Sequence, residues 1–133
     1  MEVKAAKKRH GLSLWLAAGI GLVLLAYGGM CLVIAAGVDK AANKARQSFP
    51  GDPGMALIAV ATSENFPLKD RNRAIWALGQ LGEVRALAPL ESLLTGKPCD
   101  HAVAVCQHEV RKALRLCHGG INITRWTWRP SVV

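Results

Sequence analysis

Arg71-Asn-Arg-Ala-Ile-Trp-Ala-Leu-Gly-Gln-Leu-Gly82 is followed without a gap by Glu83-Val-Arg-Ala-Leu-Ala-Pro-Leu90 and then by Leu93-Leu94. Ala74, Ile75, Leu78 and Leu81 recur at helical spacing, which predicts a helix whose body is Arg71 to Leu81 with one apolar face. Pro67 can open that helix, and Gly82 ends it because only glycine enters the left-handed conformation of a helix stop without strain. A few residues around Glu83 and Val84 then separate it from a further helix with Leu87, Leu90 and Leu94 as its buried stripe. So short a connection requires two antiparallel helices packed side by side. Pro89 is tolerable there because it lies in the first turn or so, where its missing N–H costs nothing. Ala74, Leu78, Leu87, Leu90 and Leu94 read as core. Trp76 lies near a face that does not obviously point inward, and two readings stand: a covered edge residue or an aromatic anchor for a partner.

Working outward, Asp52-Pro53 is a helix start, with Asp as N-cap and Pro at the first position, and Met55 to Ala61 supplies the apolar residues up to an end near Thr62 to Asn65. Downstream, Gly96, Pro98 and Asp100 mark a loop. A fourth helix is expected over His108 to Cys117, with Val110, Leu114 and Cys117 inward, stopped by Gly119-Gly120. The tail Ile121-Asn-Ile-Thr-Arg-Trp-Thr-Trp-Arg129 alternates in a strand-like pattern that sets Trp126 and Trp128 on one side. A lone strand cannot satisfy its backbone, so the tail has to pack across the helices, join a partner's sheet or lie on a headgroup surface. Asn122-Ile123-Thr124 fits a glycosylation sequon, a pattern that carries little without a secretory source.

Before all this, no charged residue occurs from Gly11 through Val38. As a helix that run reaches roughly 42 Å, enough to cross a hydrocarbon core of about 30 Å. A secretory signal is shorter, with an apolar stretch of about 7 to 15 residues, so the length argues for an uncut anchor although Ala35-Ala36-Gly37 would suit cleavage. The chain has 17 Lys and Arg against 9 Asp and Glu. Lys4, Lys7, Lys8 and Arg9 precede the run, and Lys40, Lys44 and Arg46 follow it, which favours the N-terminus in the cytoplasm and the domain outside. Trp15 is an interfacial anchor, and Tyr27, mid-span, needs a neighbour for its hydroxyl. Ala17, Gly21 and Gly28 can line one side and let a second helix approach closely. Asp39 to Ser48 lets the helix run on into water until Phe49-Pro50-Gly51 breaks it.

The segment from Arg71 to Leu94 resembles one complete bacterial HEAT repeat of the phycobilisome-lyase-like type: an alanine-rich first helix, a Leu-Gly-x-Leu-Gly corner and a second helix, in order over about 25 residues. Glu109-Val-Arg-Lys-Ala-Leu114 resembles the first helix of a following repeat, and Met55 to Ala61 the second helix of a preceding one. Lys97 to Gln107 departs from the pattern as an insertion, readable as a docking loop. The apolar run, the helical spacings and the resemblance together give an expected all-α fold: one transmembrane helix plus a short HEAT-like helical-repeat domain of about four helices, with an extended C-terminal tail. The expected organisation is a basic cytoplasmic stub at 1–11, a transmembrane helix at 12–38, a helical extension and linker at 39–51, the repeat domain at 52–119 and an aromatic, basic tail at 120–133. A bacterial inner (cytoplasmic) membrane crossed once, with the domain periplasmic, follows as the expected location.

Cys31 lies in the span and reads as a small apolar residue or a lipid-facing thiol. The other three cysteines fall close together. Outside the cytoplasm a disulfide from Cys99 to Cys106 would close a short loop, with Cys99 to Cys117 as the runner-up. Cys99, His101, Cys106, His108 and Cys117, with His118, are enough ligands on paper for zinc, but the Cys-x(2 to 4)-Cys knuckles of structural sites are absent, as is the Cys-x-x-Cys-His of haem attachment.

Acids are few and scattered, no Ser/His/Asp arrangement can be proposed and no Gly-rich phosphate loop follows a strand, so neither an enzyme nor a bound cofactor is expected. The absence of a recognition motif or dense basic face points away from nucleic acid. Helical repeats present extended surfaces to other proteins. The leading expectation is a non-catalytic accessory or scaffold subunit, or assembly factor, of a larger membrane complex. Its partners are the other subunits and the lipid bilayer, met through the repeat surface with Trp76, through Ala17, Gly21 and Gly28, and through Trp126 and Trp128. The rival is a small membrane-tethered metal- or redox-active module built on the Cys/His cluster at 99–118. Bilin chemistry would rest on likeness of fold alone.

Overall fold

The computed structural model describes residues 2–100 and 102–124, with side chains from residue 13 onward. Among these residues all regular structure is helical: α1 (Glu2–Ser48), α2 (Pro53–Thr62), α3 (Leu68–Leu81), α4 (Leu87–Ser92) and α5 (Gln107–Cys117), with a 3-10 turn at Val84–Ala86 leading into α4. The chain divides into two compact units at Val33/Ile34.

The first unit is the N-terminal part of α1. The portion from Ser13 onward is long and apolar enough to cross a membrane, and only 6% of its most apolar window is buried, whereas the core helix of a globular domain would be mostly covered. Leu14, Trp15, Leu16 and Leu24 point in different directions around the axis, yet all are exposed. The helix is therefore apolar all round and, in the first unit, largely uncovered, which fits a single-pass anchor. Tyr27 finds the neighbour its hydroxyl requires in Cys31, one turn on.

In the second unit α3 packs against both α2 and α5, and α2 is almost wholly covered. Ala56, Leu57, Ile58, Val60 and Ala61 are all buried, as an apolar helix with no polar face has to be. Asp52 caps it by accepting from the Met55 N–H at 2.9 Å, with Pro53 in the first turn. Helix α3 lays Ala74, Ile75 and Leu78 onto this core, all at most 2% exposed. It stops at Gly82 (φ 61°), where the Gly82 N–H donates to Gly79 O and the Glu83 N–H to Leu78 O, the paired bonds of a left-handed helix stop. Helix α5 packs Val110, Ala113, Leu114 and Cys117 against the same core. At Gly79 a Cβ would stand 2.9 Å from Ala113 Cα, so α3 and α5 approach backbone to backbone. Phe49 and Phe66, ring centroids 5.9 Å apart, close the corner where α1 turns into α2.

One expectation is corrected. The Leu87, Leu90, Leu94 stripe is not continuous: α4 has only six residues, Leu90 is buried, and Leu94 lies past the helix end at 40% exposure. The helix begins at Leu87 but its last turn tightens, with the Leu93 N–H donating to Leu90 O and the Leu94 N–H to Glu91 O, a 3-10 ending that stops the helix at Ser92. The strand-like tail contains no strand among the described residues, since Ile123 and Thr124 form a turn. Trp126 and Trp128 lie outside the described residues.

Candidate functional site

One stripe of α3, at intervals of three to four residues, carries Lys69, Arg73, Trp76 and Gln80. A helix brings such residues onto one face. Two contacts fix how this face meets the end of α1. Trp76 lies over Gly37, where a Cβ would stand 3.1 Å from Cη2 of the ring, and Lys44 Nζ donates to Asp70 Oδ1 at 2.7 Å. The lower-numbered residue on α1 thus pairs with the higher-numbered residue on α3, so the helices run antiparallel. Trp76 is half-buried with the Arg73 guanidinium 5.3 Å from its ring centroid, close enough for a cation–π contact.

Between these helices lies an open cleft of about 520 Å³, lined by Lys40, Ala41, Lys44, Pro67, Lys69, Asp70 and Arg73. Four of the seven are cations and one is an acid. At the far end of the stripe Gln80 receives the start of the tail: Asn122 Nδ2 donates to Gln80 O at 3.2 Å and Thr124 Oγ1 to Gln80 Oε1 at 3.2 Å.

The Cys/His region separates into parts. Cys99 and Cys106 come together as thiols with sulfurs 3.7 Å apart, Cys99 exposed and Cys106 buried. Cys106 is the N-cap residue of α5, and its N–H donates to Asn72 Oδ1 on α3 at 2.8 Å. Gln107 is 1% exposed. Its Oε1 accepts the Thr95 N–H at 2.9 Å and its Nε2 donates to Leu93 O at 3.0 Å, so the loop is pinned at both ends. The Cys99 sulfur accepts the His108 N–H at 3.2 Å. That bond above all, with help from the Cys106 thiol and the charge of Arg111, lowers the Cys99 thiol below its ordinary pKa.

Cys117 stands apart. It is buried in the α3–α5 seam with its thiol donating to Leu78 O at 3.5 Å. Eleven residues of helix separate it from Cys106, roughly 16 Å along the axis, so the Cys99–Cys117 pairing is ruled out by geometry. His101 lies outside the described residues. Among the described residues no group of three or more Cys, His, Asp or Glu is placed to hold a metal ion.

A third cluster joins α2 to the α3–α4 corner. Arg85 Nη2 donates to Asp52 Oδ1 at 2.9 Å and to Glu83 Oε2 at 2.8 Å. The Met55 N–H is the largest influence holding Asp52 below the usual carboxylate range, and the Arg85 side chain does the same for Glu83. Gly54 is buried directly beneath the Glu83 carboxylate and leaves no room for a side chain there.

Gly21 and Gly28 have open space where a Cβ would project, and Ala17 lies on the exposed surface of the same helix. Sequence reasoning reads Gly37 only as part of a cleavage stretch and Gln107 only as the end of an insertion, and gives Asn72 and Gln80 no role, because the contacts that matter at all four come from residues distant in sequence. It also treated Lys40 and Lys44 only as topology signals. The available signal was the pairing of Lys40 with Lys44 and of Lys69 with Arg73, each four residues apart and so on one helix face.

A family model described as PBS lyase HEAT-like repeat matches residues 70–96. That span runs from the first turn of α3 through α4 to the loop beyond, and it supports a HEAT-repeat protein. No curated protein and no solved structure matches the chain.

Proposed function

We propose that the chain is a non-catalytic accessory or scaffold subunit, or an assembly factor, of a larger membrane protein complex. The observation that carries this reading is the union, in one short polypeptide, of a HEAT-like repeat at 70–96 with a helix whose most apolar window is only 6% buried. A repeat stack gains its stability from neighbours on both faces, and an array this short leaves its ends open to a partner. Ala17, Gly21 and Gly28 in the span, Trp76 on α3, and Trp126 and Trp128 in the tail are the proposed contacts, with the bilayer around the first of them.

The proposed setting is a bacterial inner membrane crossed once, the basic stub in the cytoplasm and residues 52–119 as a repeat domain in the periplasm. There the Cys99 and Cys106 thiols would be held as a disulfide. Gentle detergent extraction followed by size analysis tests the central claim. The expected result is co-elution with defined partners, lost in Gly21→Leu/Gly28→Leu variants that still insert. Elution as a lone monomer under every mild condition overturns it.

A redox role for the same pair is the second reading, favoured by the 3.7 Å separation and by the lowered pKa of Cys99. In that role the Cys99 thiolate attacks a disulfide-bonded oxidant, releasing one thiol. The Cys106 thiolate then resolves the mixed disulfide, releasing the second. Cys99→Ser and Cys106→Ser variants discriminate: lost exchange with the fold intact favours the redox role, and plain destabilisation favours a structural bridge.

A further inference from the structure

We propose that the cleft between α1 and α3 is a binding site for the phosphate of an anionic membrane phospholipid, held by Lys40, Lys44, Lys69 and Arg73. The proposal rests on reading α1 as a membrane anchor and assigns a ligand that the anchor reading does not.

Charge comes first. Of the five charged side chains lining the cleft, four are positive, and the single acid, Asp70, is engaged by Lys44 at 2.7 Å. Among the described residues neither Lys40 nor Lys69 forms an ion pair. Arg73 has its guanidinium placed by the Trp76 ring rather than by a carboxylate. The antiparallel packing of α1 and α3 gathers these cations from two segments some thirty residues apart. Like charges are costly to concentrate, and a bound anion removes that cost.

Position comes second. The charge-free run ends at Val38. Lys40 is two residues further along the same helix and Lys44 six, roughly 3 and 9 Å of axial rise. The domain packs on α1 from Ile34 onward, so the uncovered part of the run ends at Val33, and Lys40 and Lys44 follow it by roughly 10 and 16 Å of rise, with stems long enough to bend back toward the headgroups. Lys69 and Arg73 meet them from α3. Arg supplies a planar fork for two phosphate oxygens, and the lysines act as point charges.

Shape comes third. At about 520 Å³ the cleft has the size of a small-molecule site, with Ala41 and Pro67 giving it apolar wall beside the cations. A nucleic-acid strand would require a longer basic track. The phosphate of a lipid and free inorganic phosphate share the chemistry; the apolar run directly preceding Lys40 favours the lipid.

The test uses the full chain in nanodiscs of phosphatidylcholine alone or of an equimolar mixture with phosphatidylglycerol, with retained lipids counted by native mass spectrometry. Lys40→Gln/Lys69→Gln removes two cations that form no ion pair among the described residues. Arg46→Gln/Arg111→Gln removes the same charge elsewhere on the surface, and circular dichroism verifies that each variant keeps its helices. The expected result is preferential retention of phosphatidylglycerol, reduced about tenfold by the cleft pair and little changed by the control pair. Equal loss in both pairs overturns the site in favour of diffuse surface charge. Displacement of the lipid by millimolar inorganic phosphate identifies a free-phosphate site and overturns the lipid assignment. A wild-type chain that fails to enter nanodiscs refutes the anchor instead, an outcome separable from a chain that inserts and shows no lipid preference.

Discussion

Trp76 lies directly on Gly37: the ring occupies the space a side chain would take, with Cη2 3.1 Å from where a Cβ would stand and the Arg73 guanidinium 3.4 Å from the same point. This contact joins α3 to the end of α1, and it turns a small residue near the exit of an apolar run into a packing notch. Gly37→Leu is expected to push Trp76 out and cost about 1–3 kcal/mol, the range for overpacking a filled site. Thermal unfolding of the detergent-solubilised chain, followed by circular dichroism, checks it. An unchanged midpoint would show that α1 and α3 do not depend on this contact.

Gly79 gives a prediction of opposite sign to helix propensity. Replacing a mid-helix glycine with alanine ordinarily stabilises by about 0.5–1 kcal/mol. Here the new Cβ would meet Ala113 Cα at 2.9 Å and Ala113 Cβ at 3.1 Å, atoms that move only if α5 moves. Gly79→Ala is therefore expected to destabilise, by about 1–3 kcal/mol, and chemical denaturation reads the sign directly.

The Asp52–Arg85–Glu83 cluster links stability to acid. Both carboxyls have folded pKa values lowered from their ordinary range, so the unfolded chain binds protons more readily than the folded one in that window. Their contribution is complete above the unfolded carboxylate values, about 4, and is lost as pH falls through the lower folded values. The Asp52 side chain is about half exposed, so screening keeps its ion pair weak. Loss of its helix cap in Asp52→Ala is the larger effect, about 1 kcal/mol. Melting curves measured downward from neutral pH are expected to show less loss below pH about 4 for Asp52→Ala than for the wild type.

Cys99 is expected to be the most reactive of the three thiols in the second unit. It is exposed while Cys106 and Cys117 are buried, and its lowered pKa increases the thiolate fraction at neutral pH. Alkylation with iodoacetamide, mapped by peptide mass spectrometry, should modify Cys99 first and reach half its maximal rate at a lower pH than for an ordinary thiol. Arg111→Gln should move that midpoint upward. Mild oxidation should join Cys99 to Cys106 and leave Cys117 free. A membrane-impermeant maleimide applied to intact cells, reacting at Cys99 without permeabilisation, reads the orientation of the domain in the same molecule.

Much of the architecture is written locally and was legible without coordinates. The absence of charge from Gly11 through Val38, the Asp52-Pro53 start, the Gly82 stop and the spacing of Ala74, Ile75 and Leu78 each depend on residues within a turn or two of one another. Backbone stereochemistry and helical periodicity act over that range. Tertiary structure alone decided which distant residues meet: Trp76 with Gly37, Asn72 with the Cys106 N–H, Cys99 beside Cys106 but far from Cys117, and Lys40 and Lys44 across a cleft from Lys69 and Arg73. Those pairings depend on the direction and separation of packed helices, which side-chain volumes on both faces set together and no single segment encodes.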